Sequence, residues 1–335
     1  MRELVTFLEK RKLPAYRRKQ FDTCFYQDLI TSFDEITTWP KALREELKTA
    51  VSFSSLILSK QLKSTDGGTE KVLFQCGSDG KLFETVLMRH EDGRNTVCVS
   101  SMVGCPMRCL FCATGKMGFT RNLKAVEIVD QVLYFARLLK KENKTVTNIV
   151  FMGMGEPLLN LKEVLEAINI FTGPEKLGMS ERKITISTCG VTPNLIELIK
   201  SDYKGRLALS LHAANQKLRE KLMPITSKYP LPELLKVVKE FAEKTGKRVS
   251  YEYILIDGLN DKPEDAKTLS LLLGKYLTHV NLIPYNPVSG KDWKRSSKNS
   301  IKIFSDYLTA GDLEHTIRVT MGDDIGAACG QLAGK

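Results

Sequence analysis

The sequence has no apolar run long enough to cross a bilayer, which argues against an integral membrane protein. Its first residues, MRELVTFLEKRK, also lack the apolar stretch and the small-residue cleavage site of a signal peptide. Acidic residues are outnumbered, with 39 Asp and Glu against 50 Lys and Arg and a formal net charge of +11. We therefore expect a cytosolic protein, and the basic excess favours a polyanionic partner.

Three cysteines lie close together in the chain, but no fourth ligand lies near them to complete a four-ligand metal site. Cys105, Cys109 and Cys112 lie in VGCPMRCLFCATG, and the nearest other cysteines are Cys98 and Cys189. Disulfides are rare in the cytosol, so clustered cysteines there indicate metal or redox chemistry. A structural zinc site or a ferredoxin-like cluster needs a fourth protein ligand. A [4Fe–4S] cluster held by three thiolates does not, because one iron is then free to bind another molecule.

An open iron of this kind can chelate the amino and carboxylate groups of S-adenosylmethionine (SAM). An electron from the cluster can then break the sulfonium and release a 5′-deoxyadenosyl radical, while the protein orients and shields the reaction. Phe111, directly before the last cysteine, would shield the cluster from water. The cysteine spacing resembles that of the radical SAM superfamily. The resemblance implies a [4Fe–4S] cluster whose ligands are Cys105, Cys109 and Cys112.

Strands and helices alternate beyond the cysteine motif. Strand-like segments such as TNIVFMG, KITISTCG, RLALSLHA and HVNLIPYNP are separated by helix-like segments such as KAVEIVDQVLYFARLLKK. The alternation predicts an α/β fold with a parallel sheet, a partial (β/α)6-type radical SAM barrel. Function then gathers at the carboxyl ends of the strands. The residues at these ends that we assign to SAM binding are Gly155, Glu156, Ser187, Ser210, Leu211, His212 and Asn286.

Composition divides the chain into segments. Residues 1–60 have helical spacing and clustered basic residues, and we predict a helical accessory domain that binds RNA. Residues 61–95 contain short β-like runs separated by the turn sequences GSDG and EDGR, which predict a β-hairpin connector. Residues 96–322 form the predicted barrel, and residues 323–335 form a small-residue loop around Cys329.

Two further cysteines lie outside the cluster motif. Cys98 precedes it in NTVCVSSMVGC, and Cys329 lies in GDDIGAACGQLAG, which predicts a reachable thiol with little following chain to anchor its loop. Together with GCPMRCLFCATGKMGFTRNL, FMGMGEPLLN, SLHA, KLMPI and NLIPYNP, the terminal motif resembles the RlmN/Cfr-type radical SAM RNA adenine methyltransferases. The resemblance covers nearly the whole chain and is least specific in the N-terminal segment.

This resemblance implies a mechanism that uses two SAM molecules per turnover. One methylates the thiol matching Cys329, and the radical from the second removes a hydrogen from that S-methyl group. The methylene radical adds to an adenine carbon and joins RNA to protein. The thiol matching Cys98 then attacks the Cys329 sulfur, forms a disulfide and releases methylated RNA. Glu84, in KLFETVL, matches the family's proposed base for the ring proton.

The family acts on an adenosine in the peptidyl-transferase centre of 23S rRNA, and one branch also acts on the adenosine 3′ of some tRNA anticodons. Such a base must be unstacked and presented in a pocket. GMGEPLLN and NLIPYNP resemble the C2-methylating, dual-specificity branch more than the C8-methylating resistance branch. We expect a cytoplasmic monomer that binds 23S rRNA and tRNA, binds no membrane, and receives electrons from a reduced flavodoxin or ferredoxin.

Other functions remain open at this point. The C8 branch shares every catalytic residue named above and differs only in its product. A zinc-containing RNA-binding protein without catalysis would also explain the charge and the cysteines, but it would be colourless. A different radical SAM enzyme would have no need for Cys98 and Cys329. Cys189, which follows IST, adds a thiol of unknown purpose near the predicted site.

Overall fold

Ten strands form one mixed β-sheet in the computed structural model, which describes residues 2–274 and 277–334. Two further antiparallel strands, one on each side of the cysteine loop, pair with each other. The strands are, in chain order, β1 (Leu56–Lys63), β2 (Thr69–Cys76), β3 (Leu82–Arg89), β4 (Asn95–Cys98), β5 (Met102–Gly104), β6 (Phe119–Asn122), β7 (Asn148–Phe151), β8 (Ile184–Thr188), β9 (Arg206–Ser210), β10 (Val249–Leu255), β11 (Thr278–Pro284) and β12 (His315–Ile317).

The large sheet has two parts that differ in strand direction. Strands β1 to β4 are antiparallel neighbours, and β4 then begins a parallel series through β7, β8, β9, β10, β11 and β12. Within the described ranges β1 and β12 are the two edges, so the sheet is open. The predicted α/β class is confirmed, and the sheet does not close into a barrel within the described ranges.

Helical crossovers join the parallel strands, as parallel pairing requires. No helix within the described ranges is both long and apolar enough to cross a membrane. The α-helices are α1 (Arg2–Lys10), α2 (Ala15–Asp22), α3 (Lys41–Ala50), α4 (Ala113–Met117), α5 (Ala125–Lys141), α6 (Leu161–Thr172), α7 (Thr192–Lys200), α8 (Gln216–Leu222), α9 (Leu231–Thr245), α10 (Pro263–Leu273) and α11 (Lys298–Ala310).

Side-chain patterns explain why the parallel strands lie inside. In β9 the run Leu207–Leu209 is fully buried, as expected for a strand covered on both faces. In β8, Ile184 and Ile186 are fully buried, whereas Ser187 is only half-buried. The alternation places Ser187 on the other face of the sheet from the two isoleucines. The polar residues near the carboxyl ends of these strands therefore lie at one open end of the sheet.

The N-terminal helices pack on α5 through aromatic rings. Phe25 and Phe33 each contact Phe53, with ring centroids 5.4 and 5.0 Å apart, and the Arg137 guanidinium of α5 lies 5.0 Å from the Phe53 ring. The Asp130 carboxylate accepts hydrogen bonds from the backbone N–H and the hydroxyl of Ser55, at 2.6 and 2.7 Å. These contacts join residues 1–55 to the first long crossover helix. An RNA-binding role for this region stays a prediction.

The predicted hairpins extend the large sheet. Strand β3 pairs with β4, and β4 is the parallel neighbour of β7. The register places Val86 opposite Cys98, two residues beyond Glu84 on β3. The antiparallel part of the sheet therefore carries Glu84 and Cys98 to the edge of the parallel part. The predicted segment boundaries at residues 60, 95 and 322 stay predictions.

Candidate active site

Backbone hydrogen bonds hold the cysteine loop between β5 and α4. The Cys105 N–H donates to the Gly118 carbonyl at 2.8 Å, and the Leu110 N–H donates to the Leu222 carbonyl at 2.9 Å. The Ala113 N–H, just after Cys112, donates to the Gly330 carbonyl at 2.7 Å. The loop is thereby tied to α8 and to the C-terminal segment. The contact at Leu222 explains why the KLMPI motif lies near the cysteines in space.

The thiols of this loop lie close together in a place that disfavours free thiolates. Burial raises the pKa of Cys105 to about 12. Burial also raises the pKa of Cys109 well above its usual value, and the neighbouring Cys112 and Cys105 add to the rise. Thiolates are stable in such surroundings when a cation is bound to them. The three thiols of this loop are therefore suited to binding a metal ion or a metal cluster.

The arrangement fits an iron–sulfur cluster better than a single ion. Within the described ranges, no group of three or more His, Cys, Asp or Glu side chains converges on one metal ion. In a [4Fe–4S] cluster each iron takes its own thiolate, so the sulfurs surround a volume instead of a point. Cys105, Cys109 and Cys112 are the residues that could hold it.

Gly155 and Glu156 follow β7 and lie against the same loop. Gly155 has φ +107°, and a Cβ there would lie 2.7 Å from the Met102 Cβ and 2.8 Å from the Ser101 Oγ, so only glycine fits. Glu156 is buried, and its carboxylate accepts hydrogen bonds from the N–H groups of Cys189, at 2.8 Å, and Leu158, at 3.1 Å. Burial raises the pKa of Glu156, while the bonds from Cys189 oppose the rise.

Cys189 lies beside this carboxylate and the cysteine loop. Its thiol is buried, and burial raises its pKa, with Glu156 and Cys109 acting in the same direction. The sequence left this cysteine without a purpose. Its backbone N–H donates to the Glu156 carboxylate at 2.8 Å and its side chain also hydrogen-bonds to that carboxylate, so Cys189 holds Glu156 at the end of the β7 strand.

A buried arginine connects the ends of β8 and β9. The Arg219 guanidinium, on α8, is fully buried and donates to the carbonyls of Cys189 at 2.8 Å and Ser210 at 3.0 Å. Its Nε also donates to the Leu211 carbonyl at 3.1 Å. The predicted SAM-binding residues Ser210 and Leu211 are thus positioned through their backbone carbonyls. Ser187 is half-buried on the neighbouring strand β8.

His212 sits in a strained backbone conformation at the end of β9. It has φ +57°, and its ring packs edge-on against Phe111 with 4.6 Å between centroids. Its Nδ1 accepts a hydrogen bond from the Ile254 N–H at 3.1 Å. Burial lowers the pKa of His212 to about 3. The ring is therefore neutral, and with Nδ1 accepting, its proton lies on Nε2.

Asn286 reaches the C-terminal segment. Its Nδ2 donates to the Cys329 carbonyl at 3.2 Å, and its Oδ1 accepts from Arg295 at 2.7 Å. The structure thus places this predicted SAM-binding residue against the loop that carries Cys329. Its assignment to the cofactor stays a prediction.

The loop around Cys329 is anchored by the side chains of its own motif. Gln331 donates to the Asp323 carboxylate at 2.6 Å and accepts from the Ala328 N–H at 3.1 Å. The Asp324 carboxylate accepts from the backbone N–H and the hydroxyl of Thr65, at 2.8 and 2.9 Å. The expectation that little anchors this loop is therefore wrong for the described residues. No local pattern indicates that Asp324 will bond to Thr65, because Thr65 lies in the distant β1–β2 turn.

Cys329 lies close to the cluster loop and to Cys98. Burial raises the pKa of Cys98, and the nearby Cys329 adds to the rise. Cys329 is exposed at the residue level, but the protein around its thiol desolvates it and raises its pKa; Arg318 opposes this, while Glu252 and Cys112 add to it. All eight cysteines of the chain are free thiols in this structure. The predicted cluster ligands, the predicted methyl carrier Cys329 and the predicted resolving thiol Cys98 therefore lie near one another.

Glu84 is buried under the C-terminal segment and is paired with a lysine. Its Oε1 lies 2.9 Å from the Lys71 Nζ. Its Oε2 accepts hydrogen bonds from the N–H groups of Ala333 at 2.6 Å and Gly334 at 3.0 Å. Sequence reasoning found Glu84 but missed Lys71 and, elsewhere, Arg219. Lys71 carried a signal, since a lysine within the apolar strand EKVLF needs an acidic partner if it is buried.

Comparison with known proteins agrees with this geometry. Residues 99–269 match the radical SAM superfamily. The chain is 43% identical to a protein of Protochlamydia amoebophila named probable dual-specificity RNA methyltransferase RlmN 2, over 99% of this chain and 92% of that protein. It is also 43% identical to the ribosomal RNA large subunit methyltransferase N of Nitrosopumilus maritimus, over 95% of this chain and 92% of that protein.

A solved structure supports the same assignment over the whole fold. The crystal structure of a radical SAM methyltransferase from Sphaerobacter thermophilus superimposes with a TM-score of 0.95 and 42% sequence identity. The match covers 98% of this chain and 96% of that chain. The chain therefore belongs to the radical SAM superfamily and, within it, to the RlmN family of methyltransferases.

Proposed function

We propose that the protein methylates C2 of an adenosine in the peptidyl-transferase centre of 23S rRNA and of the adenosine 3′ of the anticodon in tRNA. The observation that supports the proposal is the proximity of Cys329 to two other thiols, the buried Cys98 and Cys112 of the cysteine loop, with Gly330 next to Cys329 hydrogen-bonded to Ala113 next to Cys112. A zinc-binding protein without catalysis has no use for these two additional thiols. The relatives named as RNA methyltransferases add support.

The cofactors are a [4Fe–4S] cluster on Cys105, Cys109 and Cys112, and SAM. When bound, they would supply the methyl group and a carbon radical that removes hydrogen from it. The residues that we assign to SAM are Gly155, Glu156, Ser187, Ser210, Leu211, His212 and Asn286. Among them, Gly155 lets the backbone pack closely against Ser101 and Met102, the Glu156 carboxylate would accept from the ammonium group, and neutral His212 would donate from Nε2.

The chain's own groups then carry the methyl carbon and release it. The Cys329 thiol holds the carbon that becomes bonded to the adenine. The Cys98 thiolate attacks the Cys329 sulfur, so that an S–S bond forms and the S–C bond breaks. The electron pair of that bond goes to the carbon, which takes a proton and becomes a methyl group. The resulting disulfide must be reduced before the next turnover.

Glu84 supplies the base for the ring proton. It accepts the proton as the C2–H bond breaks, the electron pair of that bond stays in the purine, and the one surplus electron of the radical adduct would return to the oxidised cluster. The carboxylate is buried on β3, two residues from the pairing partner of Cys98. The base that takes the ring proton and the thiol that releases the product therefore lie on neighbouring strands, β3 and β4.

The charge distribution supports RNA as the substrate. The excess of Lys and Arg gives the whole chain a net charge of +11. The basic segment GKDWKRSSKNSIK reaches the site through Arg295, which bonds to Asn286 at 2.7 Å. We propose this segment and residues 1–60 as the RNA contacts. A cytoplasmic location, a monomeric state and a flavodoxin- or ferredoxin-type electron donor stay predictions.

Mass spectrometry of nucleosides tests the function. Unmodified 23S rRNA and tRNA are each incubated with anaerobically reconstituted protein, reductant and SAM. We expect 2-methyladenosine in both RNAs. 8-Methyladenosine in rRNA alone would assign the protein to the C8 branch. A colourless protein that contains zinc and produces neither nucleoside would refute catalysis.

A further inference from the structure

Lys71 occupies a place that the mechanism above does not explain. It lies on β2, and its side chain is largely buried. Its Nζ lies 2.9 Å from the Glu84 Oε1 and donates to the Gly326 carbonyl at 3.0 Å. A buried lysine is costly unless it is paired, so this position needs a specific reason.

The strand register explains how the pair forms. Lys71 is opposite Val86 on β3, and Glu84 is opposite Leu73 on β2. Lys71 and Glu84 are therefore diagonal neighbours on one face of the hairpin, within reach of a long side chain. The lysine is held by a regular sheet, so its position does not depend on the C-terminal segment.

The two oxygens of Glu84 have partners of different kinds. Oε1 contacts Lys71, which belongs to the sheet. Oε2 accepts from Ala333 and Gly334, which belong to the C-terminal segment. An adenine that uses Oε2 must displace these N–H groups. Oε2 is then the oxygen that becomes free, while Oε1 keeps its partner.

We propose that Lys71 is a positioning residue for Glu84. It holds Oε1 from the sheet, and through the Gly326 carbonyl it fixes the distance between the base and the Cys329 loop. Oε2 then takes the C2 proton once the amides of Ala333 and Gly334 have moved away. This inference rests on the proposed function, because it assumes that Glu84 is the base.

The test separates the step that needs Glu84 from the steps before it. Full-length reconstituted protein is given SAM, reductant and unmodified RNA. Protein mass reports S-methylation of Cys329, a denaturing gel reports the RNA–protein adduct, and nucleoside mass spectrometry reports released methyladenosine. In Lys71→Met, Cys329 should be methylated as in the wild type. The adduct should accumulate, and release should fall about 10- to 100-fold, as expected for losing a hydrogen bond to a charged group.

Three further variants make the outcome specific. Lys71→Arg keeps the cation and should restore most of the release. Adding Lys71→Met to Glu84→Gln should cause no further loss, because Lys71 acts through Glu84. Lys63→Met is the matched control, since Lys63 lies on the adjacent β1, is 60% exposed and is 4.0 Å from Glu70. It should behave as the wild type.

Several results would overturn the inference. Release at the wild-type rate from Lys71→Met would remove Lys71 from the reaction. Equal loss of Cys329 methylation and of release, without rescue by arginine, would show that Lys71 only supports the fold. Additive losses in the double variant would mean that Lys71 does not act through Glu84. If the wild type itself formed no methyladenosine, the proposed function would fail first.

Discussion

The two halves of the site are assembled in different ways. The cofactor half consists of the cysteine loop and the ends of β7, β8 and β9, which are tied together by backbone hydrogen bonds and by the side chains of Glu156 and Arg219. The substrate half joins Lys71 and Glu84 on the β2–β3 hairpin to the distant C-terminal segment that carries Cys329. The first half is therefore a property of the parallel sheet and its crossover helices. The second depends on where the C-terminal segment lies.

The largest expected effect of a single change is in the substrate half. Cys329→Ala removes the atom that carries the methyl carbon, so methylated RNA should be absent altogether. Slow SAM cleavage should persist, because the cofactor half is intact. Nucleoside mass spectrometry and assay of 5′-deoxyadenosine measure the two quantities. Any methylated adenosine from this variant would disprove the role of Cys329 as methyl carrier.

Cys98→Ala should stop the reaction one step later. Adenine attack needs Cys329 and not Cys98, so RNA should become bonded to the protein and stay bonded. Denaturing electrophoresis should show a protein–RNA band in an amount comparable to the enzyme present. Cys76→Ala is a suitable control, because Cys76 is also a buried strand thiol, located on β2. Normal turnover by Cys98→Ala would mean that the release step uses another thiol.

A substitution at Gly155 tests how much close packing around its backbone contributes to the stability of the cofactor half. Gly155→Ala adds a Cβ 2.7 Å from Met102 and keeps a residue at φ +107°. We expect a loss of about 1–3 kcal/mol in the free energy of unfolding from the backbone conformation, with additional loss from the clash. Gly93→Ala is the control, since it has φ +83° with no atom within 4 Å. Equal thermal unfolding shifts in both variants would show that close packing at Gly155 contributes nothing.

The last expected effect is a dependence of stability on pH in the same half. The pKa of His212 is lowered from 6.5 to about 3 in the fold by burial, with Arg219 acting in the same direction. Between these values the unfolded chain binds the proton and the folded chain does not. The contribution of neutral His212 to the free energy of unfolding is therefore fully present above about pH 6.5. It is lost as pH falls towards 3, by at most about 1.4 kcal/mol per pH unit.

The His212→Asn variant isolates this contribution. Asparagine tolerates the positive φ of this position and has an oxygen that can accept from Ile254, but it does not titrate. Chemical denaturation from pH 7 to 4 should give a shallower pH dependence for the variant than for the wild type. Identical slopes would mean that His212 is protonated in the folded protein.

Sequence patterns predicted much of the fold because the crossover helices and buried strands repeat with clear periods. They also predicted the cysteine loop, since its three ligands are close together in the chain. They missed Lys71, Arg219 and Thr65, because those contacts depend on strand register, on the packing of α8 and on where the C-terminal segment lies. The strand EKVLF indicates only that a buried Lys71 needs an acidic partner, and no local pattern names Glu84 as that partner or predicts that Arg219 will donate to Ser210.

The sequence by itself determined the chemistry: three cysteines for an open cluster, two further thiols for carrying and releasing a carbon, and a carboxylate for a proton. The tertiary structure alone decided their arrangement. It brought Cys329 close to Cys98 and to the cluster loop, and it placed Glu84 between Lys71 and the amides of Ala333 and Gly334. The physical reason is that reactive groups are defined by residue type, whereas their distances depend on strand pairing and on where the end of the chain packs.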